Sequence, residues 1–149
     1  LRRIDPDVAI EKNTWFHLGI NSCEDMLYSL RRICDPCEEH IDNSFVPLDK
    51  ERVKEFLPLR DTLLYLLKRI GGVISAGDFT DVQKLNEQCD AFKHCLSQTR
   101  DEQMARMQAG RENITVSYVY LNILQETQEM ASSLKHMLRA ARHFSEGRA

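Results

Sequence analysis

The chain has 149 residues, 42% of them hydrophobic and 29% charged, with a net charge of −3. That is the profile of one folded globular domain over residues 1–149, and it excludes a disordered tract and the concentrated basic face of a nucleic-acid binder. The longest apolar run, Leu63–Leu67, falls far short of the roughly 20 residues that cross a bilayer.

The first segment opens at Asp5-Pro6, where proline suits a first helical turn, and runs to about Asn43. Phe16, Ile20, Cys23, Leu27, Leu30, Cys34, Cys37 and Ile41 alternate in steps of four and three. This spacing lines one helix face in a coiled-coil-like bundle, so it predicts the core-facing seam. Pro36 removes one backbone hydrogen bond. The seam keeps its phase across Pro36, which predicts a kink rather than a break.

A short loop with Pro47 follows, and Asp49 is placed to cap the second helix, read as 49–75. Its stripe is Val53, Phe56, Leu63, Leu67, Ile70 and Ile74, with Arg60 in the missing slot and Pro58 as a bend. Thr80 and Gln83 match a capping box at the start of a third helix, read as 80–109. Val82, Leu85, Cys89, Phe92, Leu96 and Thr99 form its face, Met107 prolongs it, and Gly110 stops it. The fourth segment, 113–144, opens with the β-branched and aromatic run Ile114–Tyr120. Leu121, Leu124, Ala131, Leu134, Leu138 and Ala141 nevertheless mark a helix, and a lone strand would have no partner. Four long helices with short connections predict an all-α, antiparallel up-down-up-down four-helix bundle.

The chain has five cysteines, and three of them share one helix face, which does not make a disulfide framework. The expectation is a reducing compartment. Cys34-x-x-Cys37-x-x-His40 is half of a zinc site, and no second knuckle supplies the other two ligands. Because both cysteines sit on the hydrophobic seam, core packing is the expected role. None of the five histidines follows a glutamate by three residues, which excludes the di-iron pattern of ferritin-like bundles. His94 and His136 lack the neighbours of phosphotransfer histidines. No nucleophile elbow, Gly-rich phosphate loop or His-Glu-x-x-His is present. Nothing in these motifs points to an enzyme, a cofactor or a small-molecule substrate.

Two stretches carry a family likeness. Glu39-His40-Ile41-Asp42-Asn43 ends the first helix, and Tyr120-Leu-Asn-Ile-Leu-Gln-Glu-Thr-Gln-Glu-Met130 lies in the last, which closes with Arg142-His143-Phe144. With the four-helix layout between them, the chain resembles the PhoU-like helical domain that follows the membrane part of bacterial sodium/phosphate cotransporters. The resemblance implies a cytoplasmic, non-enzymatic bundle at the inner membrane that regulates phosphate uptake. It would act by docking to the membrane portion of the same transporter, through dimerisation, or on a cytoplasmic partner. Beginning at Leu1 without a methionine, the sequence reads as a piece of such a longer protein.

The same resemblance implies a metal pattern, an acid followed four residues later by an aspartate, for a divalent or ferric ion. Matched here, it falls on Asn21 and Asp25 in the first helix and on Gln125 and Glu129 in the last. In each pair the first acid is an amide, and the second pair ends in Glu. Two other readings stand beside the transport one. One is a free-standing metal-binding bundle using Asp25, Glu129, His17 or the Cys34, Cys37 and His40 group. The other is a helical scaffold in a signalling complex.

Overall fold

The structure, a computed structural model, describes residues 6–43 and 46–147, with side chains from Ile10 onward. Four helices make up nearly all of it: α1 (Pro6–Asn43), α2 (Lys50–Ala76), α3 (Val82–Gln108) and α4 (Ile114–Glu146). The all-α class and the four predicted helices are as expected, with each boundary within two residues of its predicted place.

Local chemistry sets most of the ends. Asp49 accepts the Arg52 N–H at 2.7 Å and Asn113 the Val116 N–H at 3.1 Å, each quenching a first-turn donor. Gly77 closes α2 with φ +67°, its N–H bonded to Val73 and Ile74 carbonyls, a left-handed cap that glycine adopts without strain. The capping box predicted at Thr80 does not form. The N-cap is Asp81, and Gln83 donates to Glu87 instead. Thr80 is diverted by Asp78, whose carboxylate takes the Thr80 N–H at 3.1 Å and its hydroxyl at 2.5 Å. This Asx-type turn competes with the cap and wins because Asp78 lies nearer in sequence. Those two bonds hold the Asp78 carboxyl below its usual range. Both α1 and α2 continue through their prolines, Pro36 and Pro58.

Cross-helix pairs fix the directions. Trp15 stacks on His143 and Arg32 binds Glu126, so α1 and α4 are antiparallel. Lys135 with Asp90 and Arg100 with Gln125 set α3 antiparallel to α4. Arg69 with Asp81 and Arg106 with Glu55 do the same for α2 and α3. The core lies among α2, α3 and α4, built from Leu59, Leu66, Ile70, Val73, Val82, Leu85, Cys89, Phe92, Leu96, Tyr120, Leu124, Leu134 and Leu138. Burying each such side chain is worth about 1.5–3 kcal/mol.

The bundle is open on one side. Among the described residues the backbone of α1 lies directly against α4 alone and stands off from α2 and α3. Its predicted seam is not its packing face, which corrects the sequence reading. Phe16, Ile20, Leu27, Leu30 and Ile41 are exposed, as are Cys23 and Cys34. The residues one position earlier, Gly19, Ser22, Met26, Ser29, Ile33 and His40, are buried or half-buried. One residue turns the helix by about 100°. The small side chains decide the contact, because they let α1 lie close on α4. A Cβ on Gly19 would stand 3.7 Å from the Ala140 Cβ. The serine hydroxyls cost little to bury, since Ser22 donates to the Leu18 carbonyl at 2.9 Å and Ser29 accepts from Arg32 at 3.3 Å.

The α2 stripe is rotated in the same sense. Leu59, Leu66, Ile70 and Val73 are buried, whereas Phe56, Leu63, Leu67 and Ile74 flank the core and Val53 is exposed. In α3 every predicted position from Val82 to Thr99 is buried.

Candidate functional site

Three features stand out from the packing. The first is a polar clamp where α2 begins, α3 ends and α4 begins. Glu55 accepts the Tyr120 hydroxyl at 2.7 Å and Arg106 at 3.1 Å. Arg106 also donates to Gln103 at 2.6 Å, and Gln103 donates to Glu112 at 2.6 Å. Glu112 further accepts from Ser117 at 3.1 Å and from Arg52 at 3.3 Å. Burial, followed by the bond and charge of Glu55, drives the Tyr120 phenol far above its ordinary range, so it stays a donor. Each carboxylate is met by guanidinium and hydroxyl donors, and of the buried side-chain nitrogens and oxygens only the Nε of Arg52 is left without a hydrogen bond, which makes the clamp a structural joint. The sequence carried one sign of it: Gln103 occupies the seam slot between Thr99 and Met107, where an apolar residue was due.

The second feature is a basic cleft between α3 and α4, at the end where α1 starts. Lys93, Lys135, His136, Arg139, Arg142 and His143 line a volume of about 420 Å³, and no carboxylate lines it. Two acids stand at its margin, with Asp90 on Lys135 at 2.5 Å and Glu146 on Arg142 at 3.2 Å. Arg139 lies 5.6 Å from the Trp15 ring centre, and Trp15 stacks on His143 at 4.2 Å. Cation–π and stacking contacts hold the cations on one side of the bundle with an aromatic beside them.

The third is the exposed apolar face of α1 and the groove it forms. At one end Phe16, Ile20 and Cys23 share a hollow of about 230 Å³ with Ile74, Met137 and Phe144. At the other, Cys37, His40 and Ile41 share about 310 Å³ with Pro47, Leu48 and Tyr120.

The sequence-predicted ligands are placed apart. Asn21, Asp25 and Glu129 are exposed, and Gln125 is half-buried. Gln125 accepts from Arg100 of α3 and donates to Glu129 at 3.1 Å, so its amide is already engaged. Cys23 meets Met137 at 3.2 Å and Arg32 meets Glu126 at 3.1 Å. In that register Asp25 and Glu129 are separated by roughly 7 Å of helix rise, at 1.5 Å per residue. The structure does not bring the two pairs together. His17 is exposed and meets the Phe16 ring edge-on at 5.8 Å. His40 holds the Val46 carbonyl at 2.7 Å, which ties the end of α1 to the following loop. The Cys34 side chain is exposed, while burial and the neighbouring Cys34 raise the Cys37 thiol. Among the described residues no three His, Cys, Asp or Glu side chains converge to hold a metal ion. No described helix is long and apolar enough to cross a membrane.

No family model, curated protein or solved structure matches the chain.

Proposed function

We propose that this bundle is a non-enzymatic regulatory domain of a sodium-dependent phosphate transporter, docked on the cytoplasmic side of the inner membrane against the membrane portion of the same protein. The observation that carries this reading is the position of the basic cleft. The resemblance to the PhoU-like domain puts a membrane part ahead of α1, and the cleft with Lys93, Lys135, Arg139 and Arg142 lies at the end of the bundle where α1 begins. Cations and a tryptophan at that end suit the anionic inner surface of a membrane, where each lysine or arginine near the surface contributes about 1 kcal/mol. The clamp at the far end supports the same reading, because it holds α2, α3 and α4 rigidly enough for their faces to contact two transporter states differently.

The test is phosphate uptake by cells carrying the complete gene product, with residues 6–147 intact or deleted. Retained transport with lost regulation is the expected result. Unchanged uptake and unchanged regulation would overturn the proposal.

A further inference from the structure

Among the described residues the apolar stripe of α1 is only partly covered, by Phe144 beside Phe16 and Met137 on Cys23, and its flanks say what fits the rest. Phe16, Ile20, Leu27, Leu30 and Ile41 stand exposed along roughly 38 Å of helix, at 1.5 Å per residue. Monomers rarely leave a continuous apolar strip of that length open to water. The stripe keeps the four-three spacing of a two-helix seam throughout, with Ile20, Leu27, Cys34 and Ile41 on one row and Phe16, Cys23, Leu30 and Cys37 on the other. One edge of the stripe is covered by α4. The solvent edge carries His17, Glu24, Arg31 and Glu38, all exposed.

We infer that the occupant is a second copy of this chain, laid antiparallel along α1. In that arrangement Phe16 sits opposite Ile41 of the second copy, Ile20 opposite Cys37, Cys23 opposite Cys34, and Leu27 opposite Leu30. Every layer then pairs one row with the other, as an antiparallel seam requires. The free edges meet as well. Glu24 comes beside Arg31 of the second copy, and His17 beside Glu38, each pairing occurring twice by symmetry. A parallel arrangement would set this charged edge against Gly19, Met26, Ile33 and His40, which carry no acid and are turned toward α4. Charge complementarity therefore selects both the partner and the direction. The Arg31–Asp35 pair, at 3.3 Å and exposed on both sides, is a weak contact that Arg31 can exchange for Glu24. A twofold contact of this kind is isologous and closes on itself, so assembly stops at two. This inference rests on the stripe and its edge, not on the transport reading, and the two fail separately.

The full chain is examined by sedimentation equilibrium from low to high micromolar concentration, with cross-linking in a Cys37→Ser/Cys95→Ser background. The expected species has twice the 17.3 kDa monomer mass. Mild oxidation then joins Cys23 of one copy to Cys34 of the other, identified by peptide mass. Within one helix these thiols are about 16 Å apart along the axis and cannot bridge. Leu27→Glu, at an exposed position, leaves the helical signal unchanged and weakens association at least tenfold. Glu24→Arg and Arg31→Glu each weaken it, and the double exchange restores it. A chain that stays monomeric overturns the inference, as does a dimer indifferent to Leu27→Glu. So does a Cys23–Cys23 link, which marks a parallel pair.

Discussion

Ser29 and Leu27 lie two residues apart on α1, and their roles are the reverse of what hydrophobicity suggests. Ser29 is 1% exposed on the face that meets α4, and Leu27 is 67% exposed. Replacing Leu27 with Ser removes only the covered third of a side chain whose full burial is worth about 1.5–3 kcal/mol. That loss is about 0.5–1 kcal/mol, with a few tenths more for helix propensity. Replacing Ser29 with Leu forces a larger side chain into a close contact, at about 1–3 kcal/mol. It also removes the oxygen that accepts from Arg32 at 3.3 Å, for about 1 kcal/mol more. The expected costs are therefore about 1 kcal/mol for Leu27→Ser and about 3 kcal/mol for Ser29→Leu. In a chain of this size they lower Tm by roughly 3 °C and roughly 8 °C. Urea titrations followed by far-UV circular dichroism, at a concentration where the chain is monomeric, give both values. A larger loss for Leu27→Ser would mean that the apolar stripe faces α4 and that the rotation described for α1 is wrong.

Gly71 and Gly72 lie inside α2, and a Cβ at either position meets nothing within 4 Å. Alanine at each is expected to add about 0.5–1 kcal/mol in thermal or urea unfolding, whereas Gly77→Ala, at φ +67°, is expected to destabilise. Tyr120→Phe loses the bond to Glu55 at 2.7 Å and is expected to cost about 1–2 kcal/mol at neutral pH. Because the folded phenol is raised above its unfolded value, the unfolded chain releases its proton first. The wild-type stability should fall as pH rises above about 10, and the variant's should fall less. Burial also raises the Cys89 thiol, so in the native chain the exposed Cys23, Cys34 and Cys95 should react with a disulfide reagent well before Cys89. Labelling followed by peptide mass gives that order, and early modification of Cys89 would contradict its place in the core.

How much was legible depended on what each helix uses for packing. In α3 the apolar spacing and the buried face coincide, because Val82, Leu85, Cys89, Phe92 and Leu96 have no competing stripe. In α1 two stripes run one residue apart, and pattern reading favours the greasier one. The small one packs, since close approach to Ala140 depends on size rather than hydrophobicity. The Thr80 capping box failed for a similar reason: two residues upstream, Asp78 takes the Thr80 N–H that Gln83 would have accepted and the Thr80 hydroxyl as well. The clamp of Glu55, Arg106, Gln103 and Glu112 joins three helices, so only Gln103, a polar residue in an apolar row, could mark it in advance. The paired positions Asn21 with Asp25 and Gln125 with Glu129 each span one helical turn as read. Their separation along the α1–α4 register is a property of the packed pair and could not be seen in either helix alone.

Among the described residues none of the buried apolar core comes from α1, whose nearest contribution is the half-covered Met26. The remaining three helices own a continuous interior and the clamp that pins their ends. The native chain is thus a three-helix unit with a fourth helix latched to one of its members. Subglobal openings follow such seams, because separating α1 from α4 leaves the core among α2, α3 and α4 intact. Amide exchange along the middle of α1 should therefore be governed by an opening free energy smaller than that of α3. A ligand or copy that grips the outer stripe would slow this exchange without touching α4. Through that latch, whatever settles on α1 gains a hold on the stability of only part of the molecule.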